Sequence, residues 1–358
     1  MSTPDASPRV ANVIGLGLIG GSIAFGLRDR GWTVHGDDAR ADTLERAVAV
    51  GAIDVTGLAT DAEITFVAVP VQATEEVVKR ALADTNGLVT DAGSVKAPVA
   101  AACTDARFVG GHPMAGSELD GIDGADGDLF NGAIWVLTPT ELTDDRALAT
   151  VSAVIRSLGA EVVALTAERH DQVVAVISHV PHLTAAMLMQ VASDRAEEHA
   201  ALLRLAAGGF RDMTRIASGH PDIWLDICSQ NRPAIVTALD GLIQRLSTIR
   251  EVVDTDDRGA LEAALTGARE ARINLPGRVA HPENVAEVRI PIPDRTGAAA
   301  EVFTLAADLG VNIANFEVVH LPESNRGVAV VLVDEAASDL FKGGLIARGF
   351  KPAVTPLV

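Results

Sequence analysis

Short apolar runs and segments with helical spacing alternate through the first half of the chain. Ala11 to Leu16, Thr33 to Gly36, Ile64 to Val69, Leu88 to Asp91, Phe108–Val109, Ile134 to Leu137 and Val162 to Leu165 read as strands. Ser22 to Arg30, Asp42 to Val50 and Thr74 to Leu82 read as the helices between them, with Gly31 and Gly51 placed to end the first two. Strands spaced by helices of this length pair in parallel through right-handed crossovers, so this half is expected to form a doubly wound α/β sheet.

From about Asp171 the strand signals stop. Leu183 to Val191, Ala196 to Ala207, Ile223 to Cys228 and Ala234 to Val253 are helix-like, and Asp254 to Ile273 continues the pattern with high Ala and charges of both signs. Such an all-α block is expected to pack against a copy of itself in a homodimer. Asn274 to Asn284, with two prolines and a glycine, reads as a linker. The remainder reads as strand (Ala286–Pro291), helix (Gly297–Leu309, ended by Gly310), strand (Asn312–Val319), turn, strand (Gly327–Val333), helix (Ala336–Ala347) and strand (Phe350–Val354). This is the split βαββαβ, ferredoxin-like order. Three parts are therefore expected, over 8–170, 171–280 and 284–358.

Composition narrows the function. With 48 acidic and 29 basic residues the net charge is −19, which opposes phosphate backbones and anionic membrane surfaces. Nucleic acid is not an expected partner, whereas a small anionic substrate in a local basic pocket is. Aromatics make up only 3% of the 358 residues, with no Tyr, so Ala, Val, Leu and Ile are expected to build the core. Two cysteines far apart in sequence, Cys103 and Cys228, read as reduced thiols in a cytoplasmic protein. Two stretches lack charge. Val10 to Leu27 holds five glycines and Asn12 and reads as strand, turn and helix start, not a signal peptide. Gln172 to Ser193 is long enough to span a bilayer but carries Ser178, His179, Pro181 and His182, groups that are costly in lipid; a buried helix beside a polar site is expected.

Five segments and one acidic pair carry chemistry. Gly15-Leu-Gly17-Leu-Ile-Gly20 follows a strand and opens a helix, the context in which such a turn receives a dinucleotide pyrophosphate. Asp37 and Asp38 end the second strand, where a carboxylate accepts from a ribose 2′-hydroxyl and opposes a 2′-phosphate, favouring NAD over NADP. Asp91-Ala-Gly-Ser94-Val-Lys96 lies at the carboxyl end of the fourth strand, where ligands bind in this architecture; a plain strand-to-helix turn uses the same residues. His112, in Gly110-Gly-His-Pro-Met-Ala-Gly-Ser-Glu118, is placed to accept a hydroxyl proton as hydride leaves carbon. His179 and His182 share a helix face in Ser178-His-Val-Pro-His182; they offer no metal-site pattern, and ordinary buried histidines are the alternative. Arg211 and Arg215, at i and i+4, could grip carboxylates in one pocket or pair with nearby acids on the surface.

Taken together and in this order, these five segments resemble the prephenate/arogenate dehydrogenase family of tyrosine biosynthesis over about residues 10 to 275. Pro293-Asp294-Arg-Thr-Gly297 followed by a helix and Gly310-Val-Asn312-Ile resembles an ACT domain, which some members of this family carry. The resemblance implies a Rossmann-type NAD-binding domain, a helical substrate and dimerisation domain, and a regulatory tail. It implies that His112 is the catalytic base on the substrate's ring hydroxyl, and that Ser94 helps orient His112 and the nicotinamide. Arg215 is then the residue that holds a substrate carboxylate; Glu118, Ser178, His182 and the positive charge of Arg211 complete the pocket. Gly15, Gly17, Gly20 and Asp38 would hold NAD. Asp294, Gly297 and Asn312 would meet an amino-acid effector, tyrosine being the expected one. Prephenate and arogenate both remain open as substrate, as does a sensor that binds dinucleotide and amino acid without turnover. Other dehydrogenases of this architecture use a lysine in the helical block, but no Lys lies between Lys96 and Lys342.

Overall fold

The structure is a computed structural model that describes residues 9–116, 119–196, 208–219, 221–274, 285–293, 297–320 and 326–356. They fall into two compact units, one extending to Glu251 and one from Val252 onward.

The first unit opens with β1 (Val10–Ile14), α1 (Leu18–Arg28), β2 (Thr33–Asp37), α2 (Ala41–Ala49), β3 (Val55–Thr56), β4 (Ile64–Val67), α3 (Val71–Asp84), β5 (Leu88–Asp91), α4 (Ala97–Ala102) and β6 (Phe108–Pro113). It continues with β7 (Ile134–Thr138), α5 (Asp145–Ser157) and β8 (Glu161–Ala164). The eight strands form one sheet in the order β3-β2-β1-β4-β5-β6-β7-β8. Every neighbouring pair is parallel except β6–β7, which is antiparallel from Gly110 against Thr138 to Pro113 against Trp135. The expected parallel pattern fails at this pair for a local reason. Among the described residues, the segment between β6 and β7 holds only a short 3-10 turn at Ile122–Gly124 and no crossover helix. That segment returns over α1, where Asp126 N–H donates to Ser22 Oγ at 2.9 Å.

The core of this sheet departs from the aliphatic expectation at its centre. Trp135, Phe66 and Phe130 are fully buried, with Trp135 set edge-on to Phe66 at 6.3 Å and tilted against Phe130 at 5.0 Å. The scarce aromatics are thus spent where area per side chain is greatest. Around them the predicted Val, Ile, Leu and Ala shell is present.

After β8 the chain enters α6 (Ala167–Val174), a π-helical turn (Ala175–His179) and α7 (Val180–Ala196), then α8 (Gly208–Thr214), a 3-10 turn (Arg215–Ser218), α9 (Pro221–Gln230) and α10 (Arg232–Asp254). The apolar stretch expected to be buried is a 28-residue helical run of which only 33% of the most apolar window is buried. Val176, Ile177, Met187 and Val191 stand exposed on it. Its His179 and His182 are buried, as expected.

The second unit holds α11 (Arg258–Ile273), β9 (Val285–Pro293), α12 (Ala298–Leu309), β10 (Ile313–His320), β11 (Arg326–Asp334), α13 (Glu335–Ala347) and β12 (Ala353–Pro356). The helical pattern does not run unbroken through Asp254: Asp256 takes φ +51, a left-handed conformation, and Asp257 caps α11 by accepting from Ala260 N–H at 3.0 Å. The four strands form an antiparallel sheet in the order β10-β11-β9-β12. Ala286, Val288, Ile290 and Ile292 alternate into its core, where they meet α12 and α13 residues such as Val302 and Phe341.

Candidate active site

The carboxyl end of β1 passes into α1 through the glycine turn. Gly15 has φ +88, and a Cβ there would lie 2.4 Å from Ala68 O; a Cβ on Gly20 would lie 1.8 Å from Gly15 O. Both positions therefore exclude any side chain. Gly17 is different: nothing stands within 4 Å of its would-be Cβ, so its backbone faces open space at the helix N-terminus. A cleft of about 780 Å³ opens there, lined by Gly15, Gly17, Asp37, Asp38, Arg40 and Arg80 among others.

Asp38 is fixed in this cleft. Its Oδ2 accepts from Leu16 N–H at 2.7 Å and its Oδ1 from Arg40 N–H at 2.9 Å. Asp37, the last residue of β2, instead accepts from Arg80 at 2.8 Å. The other cationic side chains of the cleft are also paired, Arg40 with Asp42 at 3.0 Å and Arg46 with Asp123 at 2.7 Å. This cradle fits a dinucleotide: a bare backbone for the phosphates and a carboxylate for a ribose, with each arginine already facing an acid.

On the other side of β1, the turn after β5 builds a second centre. Asp91 and Lys96 form a fully buried ion pair. Asp91 also accepts from Gly93 N–H at 2.9 Å and from Gly111 N–H at 3.1 Å, while Lys96 Nζ donates to Gly111 O at 2.8 Å. Burial pushes the Lys96 ammonium below its ordinary range and the Asp91 carboxylate opposes that shift. The pair ties the 91–97 turn to β6 at the residue before His112.

His112, the penultimate residue of β6, is half-buried. Its Nδ1 lies 2.8 Å from His170 Nε2, with the two rings edge-on at 5.0 Å. His170 Nδ1 lies 2.8 Å from Asp171 Oδ1. Asp171 also accepts from Lys96 N–H and Ala97 N–H, each at 2.8 Å. Burial, followed by the neighbouring His170, Lys96 and His179, lowers the His112 pKa well below the usual histidine value. The ring is accordingly neutral near pH 7, with a lone pair free to accept a proton.

The π-helical turn carries Ser178 and His179. Such turns are common at functional sites because one extra residue per turn re-aims the side chains. His179 lies 3.3 Å from Asn231 Nδ2, which also donates to Asp171 O at 2.9 Å. Burial lowers the His179 pKa to about 4. His182 stacks on Trp224 with ring centroids 3.5 Å apart, and His179 meets the same indole edge-on at 6.1 Å. The shared helix face expected for these two histidines is thus made, with Trp224 across it.

The remaining expected positions are dispersed. Ser94 is half-buried in the turn that holds Lys96, and Nδ1 of His112 is met by His170. The turn reaches the histidine through Lys96 and Asp171. Arg211 and Arg215 are exposed. Their i, i+4 alignment is interrupted, because α8 ends at Thr214 and Arg215 begins a 3-10 turn. That turn packs on α7, the helix of His182. Glu118 and Asp294 lie outside the described residues. Gly297 has φ +89 at the start of α12, and Asn312 is exposed just before β10.

Comparison with known proteins decides the lineage. The prephenate dehydrogenase nucleotide-binding domain family matches residues 23–164, and the prephenate dehydrogenase dimerization domain family matches residues 166–266. The prephenate dehydrogenase of Bacillus subtilis (strain 168) is 33% identical over 333 residues, covering 88% of this chain and 89% of the relative. The chain belongs to the prephenate dehydrogenase family. Within it, a crystal structure of prephenate dehydrogenase from Aquifex aeolicus, in complex with hydroxyphenyl propionate and NAD⁺, has a TM-score of 0.71 and 29% identity. It is matched over 100% of its length by 76% of this chain, so about a quarter of this chain has no counterpart there. Synechocystis arogenate dehydrogenase is similar at a TM-score of 0.65 and 33% identity, covering 74% of this chain and 98% of that one.

Several residues of the centre escaped the sequence reading: His170, Asp171, Asn231 and Trp224, together with the role of Lys96. A signal existed for three of them. Lys96 is a lone cation beside Val95 and the alanine-rich 97–102 stretch, and His170-Asp171 is an adjacent base and acid where strands give way to helices.

Proposed function

We propose that this protein catalyses the NAD-dependent oxidative decarboxylation of prephenate to 4-hydroxyphenylpyruvate and CO₂. The observation that carries the reading is a neutral, half-buried His112 at the end of β6, held by His170, in a chain whose family relatives are prephenate and arogenate dehydrogenases. Prephenate bears a hydroxyl on C4 of a cyclohexadiene ring and a carboxylate on C1. His112 takes the hydroxyl proton as C4 loses hydride, leaving a carbonyl at C4. The C1–carboxylate bond then breaks and its electron pair enters the ring, giving a phenolate that takes the proton back from His112 to become the phenol. Bound NAD⁺ supplies the acceptor for the hydride.

Gly15, Gly17, Gly20 and Asp38 would hold the dinucleotide, with Ser94 toward its nicotinamide end. Arg215, His182, Ser178, Glu118 and the charge of Arg211 would face substrate. Stacking on Trp224 supports His182 as a rigid donor. Arogenate, which differs only in an amino group on the side chain, is the second reading, favoured by the similarity to the Synechocystis enzyme. Assay of NADH formation with each substrate separates the two.

A homodimer is supported by the dimerization-domain match and by exposed Val236, Ile243 and Leu246 along one side of α10. The βαββαβ tail is proposed as an ACT-type, ferredoxin-like regulatory domain over 284–358 that receives tyrosine near Asp294, Gly297 and Asn312. Its support is the antiparallel order of β9 to β12 and the left-handed Gly297 at a helix start. Domain bounds of 8–170 and 171–280 for the nucleotide and substrate parts, and a cytoplasmic location, belong to the same proposal.

A further inference from the structure

We infer that His170 and Asp171 are positioning residues that set the tautomer of His112, leaving its Nε2 as the unprotonated nitrogen. The inference deepens the reading of His112 as the base and rests on it.

Asp171 is all but buried, and its two oxygens meet three nitrogens: Lys96 N–H, Ala97 N–H and His170 Nδ1, each at 2.8 Å. An ionised carboxylate only accepts, so Nδ1 of His170 carries a hydrogen. In a neutral His170 the other nitrogen, Nε2, then bears the lone pair. That nitrogen lies 2.8 Å from Nδ1 of His112, so the hydrogen between them belongs to His112. With Nδ1 protonated, the neutral His112 ring has its lone pair on Nε2.

The 91–97 turn holds both ends of this arrangement. The Lys96 side chain grips Gly111 O, next to the backbone of His112, and the Lys96 and Ala97 amides grip the carboxylate that orients the ring. When His112 takes a proton at Nε2, the Nδ1–H bond to His170 shares the new charge, and Asp171 lies one ring further along. A purely structural role for His170 and Asp171, as a tie between α6 and the turn, would hold helix and turn together without dictating which nitrogen of His112 is free.

Nitrogen chemical shifts separate the two. In full-length protein carrying ¹⁵N-labelled histidine, with His112 assigned through His112→Asn, neutral His112 is expected as the Nδ1–H tautomer. In Asp171→Ala no carboxylate fixes the hydrogen on His170 Nδ1, so the Nε2–H tautomer of neutral His112 is expected to appear. Removing the carboxylate that sets a catalytic histidine's tautomer costs roughly 10⁴ in turnover. We expect a kcat loss of about 10²–10⁴-fold in Asp171→Ala, within the range for an acid–base group, while KM changes far less. An Nε2–H tautomer in the unsubstituted protein overturns the inference, and so does an Asp171→Ala protein whose shifts and kcat are unchanged. The measurement on the unsubstituted protein stands even if Asp171→Ala does not fold. Failure of both prephenate and arogenate to react would refute the proposed reaction, yet the shifts would still decide the tautomer.

Discussion

Lys96 Nζ donates to the backbone oxygen of Gly111 at 2.8 Å, so the residue before His112 is held by a cation with no exposed surface. The same ammonium is paired with Asp91, which in turn accepts from Gly111 N–H. Both polar groups of one peptide position on β6 are therefore fixed by one buried ion pair.

Removing one member of such a pair leaves the other charge buried and unmatched. Lys96→Met is expected to destabilise the fold by about 3–5 kcal/mol, read by chemical denaturation of the full chain. The double variant Asp91→Asn/Lys96→Met should lose less than the sum of the single changes, because no charge is then stranded. A loss below about 1 kcal/mol for Lys96→Met would mean that the pair does not hold β6.

Asp38 accepts two backbone N–H groups and still lines the nucleotide cleft. A charge-assisted hydrogen bond is worth about 1.5–3 kcal/mol, so Asp38→Ala should lower kcat/KM for NAD roughly 10- to 100-fold. The cost for NADP should be smaller, since a 2′-phosphate no longer faces a carboxylate. Equal efficiency with NAD and NADP in the unsubstituted protein would remove Asp38 from this role.

His112 must be neutral to accept a proton, and its folded pKa lies well below the ordinary 6.5. The groups facing it are His170, Lys96 and His179, with Asp171 and Asp91 behind them. Activity should therefore hold flat through pH 6.5 and fall only at lower pH, as the ring protonates. His112→Asn should lower kcat by about 10²–10⁴-fold and abolish that acid limb. The linkage to stability has the same sign. His112 and His179 are neutral in the fold and protonate more readily when unfolded, so stability is retained above pH 6.5 and lost as pH falls toward about 4, the value for His179. A stability profile flat from pH 7 to pH 4 would contradict these assignments.

The tail can be tested by titration. Coupling between distant sites is typically about 1–3 kcal/mol, so tyrosine should weaken activity of the full chain by several-fold up to about a hundredfold. A truncation ending near Pro282 should lose that response, and Asn312→Ala should weaken it. Equal inhibition of the full chain and the truncation would place tyrosine at the active site and end the effector role of the tail.

What could be read from sequence was whatever is local. Gly15, Gly17 and Gly20 declare a turn because their whole pattern falls within six residues, and the alternation of Ala286, Val288 and Ile290 declares a strand by itself. The antiparallel return of β7 was not legible, since it depends on where the 114–133 segment travels and not on its composition. Nor was the break at Asp256, a left-handed non-glycine residue inside a continuous helical pattern. The centre divides in the same way. His112 stands out within a glycine-rich run, whereas His170 and Asp171 gain meaning only when α6 lies against the 91–97 turn and against His112, 58 residues upstream of His170. Arg215 was read on an ideal helix, whereas the chain changes to a 3-10 turn after Thr214.

On the proposed reading His112 serves as the base in NAD-linked oxidation of a ring hydroxyl, with decarboxylation. The most direct measurement follows NADH absorbance and 4-hydroxyphenylpyruvate together, with full-length protein, NAD⁺ and prephenate, beside His112→Asn. The account expects one NADH per 4-hydroxyphenylpyruvate and a rate reduced by about 10²–10⁴-fold in the variant. NADH formation undiminished in His112→Asn, or no NADH from either prephenate or arogenate with a protein that binds NAD⁺, would contradict it.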